Sequence, residues 1–122
     1  MRETGNKGEC YAAECLLHKG YQILVQNYHS RYGEVDIIAS QDEFIAFIEV
    51  KTRSEHCDYS PCEAVDTAKM KKITKTALCY LQEYPSDLQP RFDVIEIITA
   101  RQSSFSVLSC NHIVNAFDPV LQ

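Results

Sequence analysis

Residues 32–53 read YGEVDIIASQDEFIAFIEVKTR, and no other stretch limits the fold of this chain so tightly. The pattern predicts two strands, near 34–40 and 44–53, joined by a turn around Asp42 and Glu43. Strands this rich in Ile, Val and Phe belong in a core, yet these carry Glu34, Asp36, Glu49 and Lys51. Ionised side chains are costly there unless they are paired or bound to a metal. A loop of two or four residues centred on Asp42 and Glu43 sets Asp36 opposite Glu49 and Glu34 opposite Lys51; a three-residue loop breaks that register. Alternation then sends all four side chains to one face, with opposed Cβ atoms about 4.5–5.5 Å apart. Two carboxylates that close repel each other. Two readings stand side by side. The charges are solvated at the end of a sheet, partly offset by Lys51, or they hold a divalent cation, since Mg²⁺ is commonly bound by one or two carboxylates together with substrate phosphate.

With 122 residues, 45% of them hydrophobic, the chain fits a single domain, 1–122, with a real core. A first helix is expected from about residue 6 to 19, with Ala12, Ala13, Leu16 and Leu17 as its apolar stripe and Gly20 ending it. YQILVQNYH reads as a strand, and Gly33 marks the turn into the hairpin. SPCE carries the signs of a helix start: Ser60 as cap, Pro61 at the first helical position and Glu63 completing a capping box. Helical spacing continues through Met70, Ile73, Ala77, Tyr80 and Leu81 until Pro85. RFDVIEIITA reads as a strand, SFSVLS as a shorter one paired with it, and 112–117 as a brief terminal helix. The order α-β-β-β-α-β-β predicts an α/β fold, a mixed central sheet flanked by helices.

A net charge of −5 argues against a protein that coats nucleic acid nonspecifically. It leaves room for one basic patch. Lys69, Lys71, Lys72 and Lys75 fall on the second helix, either as a solvated face or as a contact for a nucleic-acid backbone. The six cysteines (10, 15, 57, 62, 79 and 110) show no CxxC pair and no histidine at finger spacing, His56 beside Cys57 and Cys62 being a weak signal. They read as reduced, mostly buried thiols. Phosphate-loop and dinucleotide motifs are absent from the sequence, as are Ser/His/Asp and Cys/His arrangements. The opening residues contain no apolar signal region and no run approaches the ~18 apolar residues of a membrane span, so a soluble, cytoplasmic chain is expected.

The spacing D-x₁₂-E-V-K, from Asp36 to Glu49-Val50-Lys51, resembles the active-site signature of the PD-(D/E)XK nuclease superfamily. GECYAAECLLHKGYQILVQNYH, the hairpin itself, EAVDTAKMKKITKTALCYL and RFDVIEI together resemble the YraN-like family of small bacterial endonuclease-like proteins, similar to archaeal Holliday-junction resolvases. Val35 stands where the superfamily name has Pro, which leaves the carboxylate in place. The resemblance implies a restriction-endonuclease-like αβββαβ core and a Mg²⁺ (or Mn²⁺) site, with Asp36 and Glu49 as ligands and Lys51 acting on the attacking water or the developing charge. Glu9 matches a first-helix Glu of the resolvase-like arrangement, which makes it a metal or water-positioning group; Asn6-x-x-Glu9 also reads as a capping box. By the same match, Glu34 would tune Lys51 and Lys69 would lie near the site; Arg53 continues the face of Glu49 and Lys51, from which it would reach a phosphate. Arg91 and Asp93 match family positions as a structural pair or a secondary site. The function implied is a metal-dependent endodeoxyribonuclease acting on branched or otherwise structured DNA as a homodimer. The alternatives are a non-catalytic nucleic-acid-binding or adaptor protein that retains the fold, and an interaction protein with no nucleic-acid role.

Overall fold

Ala12, Ala13 and Leu16 recur at helical spacing and are buried, which gives helix α1 (Glu3–His18) one apolar side. The computed structural model describes residues 3–55, 66–100 and 105–120. Gly20 ends α1 in the left-handed region (φ +91), and the Tyr21 N–H reaches back to the Leu16 carbonyl at 3.0 Å. Leu17 is not part of the stripe: it is 52% exposed, one residue beyond the buried arc.

Five strands follow the expected order around a second helix: β1 (Gln22–Ser30), β2 (Gly33–Gln41), β3 (Phe44–Ser54), α2 (Thr67–Glu83), β4 (Gln89–Thr99) and β5 (Val107–Ile113). They form one mixed sheet in the order β1-β2-β3-β4-β5, antiparallel throughout except for the parallel β3–β4 pair that α2 connects. The hairpin turn has two residues, Asp42 (φ +53) and Glu43, and it sets Gln41 opposite Phe44 and Ile37 opposite Ile48. That is the register an even-numbered loop requires.

Each helix covers one face of the sheet. Ala12 and Leu16 of α1 pack on Ile37, Ile48, Ile95 and Ile97. Ile73, Ala77 and Tyr80 of α2 pack on Ile38, Phe47, Phe92 and Val94. Burial on both faces explains why β2, β3 and β4 read as nearly continuous apolar runs. Asp66 caps α2, its side chain accepting from the Lys69 N–H at 2.9 Å. The start expected at Ser60, Pro61 and Glu63 lies outside the described residues, as do His56, Cys57 and Cys62.

Two further expectations are corrected. No helix covers 112–117: His112 and Ile113 belong to β5, and the chain then turns at Asn115 (φ +56). The N–H groups a helix would use are spent on β4 instead, Asn115 donating to Asp93 Oδ1 (2.9 Å) and Ala116 to the Phe92 carbonyl (2.7 Å). The described cysteines are free, but none is buried: Cys10 is exposed, and Cys15, Cys79 and Cys110 are half-buried.

Candidate active site

The β2–β3 ladder ends at Ile37 and Ile48, although β3 stays paired with β4 as far as Ser54. Just past that point Asp36 Oδ2 accepts the Val50 N–H at 2.8 Å, so a side-chain oxygen replaces the neighbouring strand as partner. Strict alternation also fails here. Val35 and Ile38 both join the α2-side core while Ile37 joins the α1-side core, and Asn27 of β1, across from Asp36, takes φ +56. Local breaks of this kind re-aim side chains. The one-face expectation does not hold as made, because β2 breaks its alternation and the ladder stops before these residues; what brings Glu34, Asp36, Glu49 and Lys51 together is one pocket that all four line.

The pocket is about 740 Å³ and opens where β2 and β3 part. Helix α1 contributes Glu9, and α2 contributes Lys69 and Lys72. A Cβ on Gly8 would run into the Thr52 hydroxyl, so glycine is what allows α1 to approach β3 and deliver Glu9, 5% exposed, to the pocket. Helix α1 is described from Glu3, which puts the backbone of Asn6 within the helix and not at its start.

Asp36 and Glu49 are each 5% exposed and meet their charge differently. Burial, and then repulsion from Glu49, lifts the Asp36 pKa to about 8. Glu9 and Glu34 add to the rise and the Val50 N–H opposes it. Glu49 Oε2 instead accepts from two ammonium groups, Lys51 Nζ at 3.1 Å and Lys69 Nζ at 2.9 Å. Burial pulls the Lys69 pKa down, but the attraction of Glu49 outweighs it and holds this lysine above its ordinary value. The pairing expected for Glu34 differs too: its described ion-pair partner is His29 (Nδ1–Oε1 3.6 Å, charged only when His29 is protonated), and Lys51 pairs with Glu49. Among the described residues no three His, Cys, Asp or Glu side chains gather into a ready-made metal cage.

Not every predicted residue reaches the pocket. Arg53, Lys71 and Lys75 are absent from its lining; Lys75 Nζ lies 5.2 Å from the centre of the Tyr32 ring. His29 and Ser30 line the pocket without having been singled out from sequence. Their only signal is position, at the end of the strand that turns back into Gly33-Glu34. Arg91 and Asp93 form a separate buried network. Arg91 Nε and Nη2 donate to Asp93 at 3.0 and 2.9 Å, His112 Nε2 lies 2.7 Å from Asp93 Oδ2, and Arg91 Nη2 also donates to the Tyr21 hydroxyl at 2.7 Å. Burial raises the Asp93 pKa, but the bonds to His112, Arg91 and the Asn115 N–H more than offset it and hold it below the ordinary carboxylate value. With both oxygens engaged, Asp93 fastens β5 and the terminal turn to β4, which is the structural role.

A profile of the family described as "Uncharacterised protein family UPF0102" matches residues 8–97, the span that holds every pocket residue named above. Among similar proteins, a UPF0102 protein of Syntrophomonas wolfei is 43% identical over 117 residues, covering 95% of this chain and 98% of its own length. One from Chlorobium phaeobacteroides is 43% identical over 118 residues (94% of each chain), and one from Clostridioides difficile is 42% identical over 117 residues (95% and 97%). The chain belongs to the UPF0102, or YraN-like, family.

Proposed function

We propose that this UPF0102 chain is a metal-dependent nuclease that hydrolyses phosphodiester bonds in structured DNA, with the fold and D…ExK signature of the PD-(D/E)XK superfamily. The observation that carries the reading is Asp36. Its carboxyl is buried among Glu9, Glu34 and Glu49 with a pKa near 8, a state that costs stability and that a cation would relieve. An all-oxygen donor set of this kind suits a hard divalent ion, and the short count of protein ligands suits one that keeps waters and takes substrate phosphate as a partner.

In this reading Asp36 and Glu49 would hold the metal, with Glu9 nearby to orient water or to join as a ligand once the ion draws the carboxylates in. Such an ion, when bound there, would supply Lewis-acid polarisation of the phosphate and a more acidic water. Lys69 stays protonated beside Glu49 and stabilises negative charge that builds on the phosphate oxygens, a role Lys51 shares from the β3 side. Glu34 and His29 form the opposite wall and set the local field.

A second reading, a nucleic-acid-binding or adaptor protein that retains the fold without turnover, draws on Glu49, whose charge two lysines already neutralise. Incubating the purified protein with branched and linear DNA in Mg²⁺ or Mn²⁺ separates the two. The nuclease reading expects cleavage that falls at least about 100-fold in Glu49→Ala and Lys51→Ala. Cleavage that survives both substitutions contradicts it.

A further inference from the structure

The pocket continues into a basic rim that the carboxylates do not use. The turn between β1 and β2 carries Arg31 and Tyr32 and is fastened to α2: Ser30 Oγ lies 2.9 Å from Thr76 Oγ1, and the Tyr32 N–H donates to Ser30 Oγ at 3.0 Å. A Cβ at Gly33 (φ +154) would lie at contact distance from Lys72 and Thr76, so the turn lies directly against the helix. This brings two cations to one ring. The Arg31 guanidinium carbon is 5.0 Å and Lys75 Nζ 5.2 Å from the centre of Tyr32, and Arg31 Nη2 donates to the Tyr32 hydroxyl at 2.9 Å. Lys72, one turn before Lys75, lines the pocket itself.

Among the described residues no carboxylate comes within ion-pair distance of Arg31, Lys72 or Lys75. On a chain of net charge −5 these exposed cations make a local positive patch to which an anion can be drawn. Lys69, Lys72 and Lys75 sit at i, i+3 and i+6 on α2, a track of about 9 Å at the helical rise. A nucleic-acid strand in a duplex presents one phosphate per ~3.4 Å of axis, so the track matches about two to three phosphates.

We propose that Arg31, Tyr32, Lys72 and Lys75 form a phosphate-binding subsite for a DNA strand that runs along α2 into the carboxylate pocket. The ring holds Arg31 and Lys75 in place while leaving N–H donors for phosphate oxygens. The inference rests on the nuclease reading for the identity of the strand. The substrate it implies extends by about two to three nucleotides past the scissile phosphate on the Arg31 side.

The test measures binding of a fluorescein-labelled DNA single strand of about 20 nucleotides by anisotropy, in EDTA, over a range of salt concentrations. Arg31→Ala/Lys75→Ala should reduce the slope of log K against log salt by about one to two, since each lost strand contact removes ~0.7. Lys19→Ala, at the far end of α1, removes one exposed charge and should leave the slope unchanged. Arg31 and Lys75 are exposed, and thermal melting by circular dichroism verifies that the double variant folds. Equal slopes for the wild type and the double variant overturn the subsite, as does a wild type that fails to bind at low salt. With no metal present, the assay is independent of turnover. A protein that binds through this rim and never cleaves loses the nuclease reading and keeps the subsite, whereas one that cleaves with an unchanged slope does the reverse.

Discussion

Asp36 sits where burial and three neighbouring carboxylates all oppose its charge, and its pKa rises from 3.8 to about 8. A folded-state value above the unfolded one means that folding favours the protonated form. The associated stability is complete below about pH 4 and is lost as pH rises towards 8, so the metal-free protein should weaken across that window. Asp36→Asn keeps an oxygen for the Val50 N–H and removes the charge. It should therefore raise metal-free stability at pH 8 by about 1–3 kcal/mol in urea unfolding while abolishing cleavage. A loss of stability would mean that the carboxylate is not strained. Asp93 has the opposite sign, its contribution being present above the ordinary carboxylate range and lost on acidification. At this scale the gathering of Asp36, Glu49 and Lys51 in one pocket was legible from the even-numbered turn that sets the hairpin register, although alternation in β2 breaks beside Asp36. The clasp of Lys69 on Glu49 and the approach of His29 to Glu34 were not, since each depends on packing between elements rather than on spacing within one.

Among the elements, the decisive event is the parting of β2 from β3 beyond the Ile37–Ile48 pair, at Asp36 on β2 and Glu49 on β3, while β3 keeps its parallel partner β4. It opens the end of the sheet, and α1 and α2 each send one side of the pocket across it. Gly8 sets how close α1 can come. A side chain there meets Thr52, so Gly8→Ala should lose stability even though alanine is the better helix former by about 1 kcal/mol. Thr52→Ala should recover part of that loss, a non-additivity that a double-mutant cycle in urea detects; strict additivity would mean that the two residues do not touch. The hairpin, the helices and their order were readable from apolar periodicity and turn residues. The terminal segment was not. Its local pattern suits a helix, and Asp93 and Phe92 take the N–H groups that such a helix needs, an override with no local trace. Cys10, Cys15, Cys79 and Cys110 were misjudged as buried for a similar reason: a residue-type preference does not say which side of an element faces out.

Across the whole molecule, charge is divided in a way the net value of −5 conceals. Glu9, Glu34, Asp36 and Glu49 bring four carboxyl groups to one pocket, Asp36 held protonated and Glu49 paired with two lysines, and Lys72, Lys75 and Arg31 line the approach to it along α2 and the β1–β2 turn. On the proposed reading, such an arrangement would draw in a divalent cation and a polyanion together, each lowering the cost of the other. The central claim is that the carboxylates hold a cation, and calorimetric titration with Mn²⁺ near pH 7 addresses it most directly. Because Asp36 is protonated in the metal-free protein, the account predicts saturable binding with proton release, seen as a heat that depends on the ionisation enthalpy of the buffer. Both the binding and the proton release should disappear in Asp36→Asn. An absence of binding at millimolar Mn²⁺, or binding that Asp36→Asn leaves intact, would contradict it.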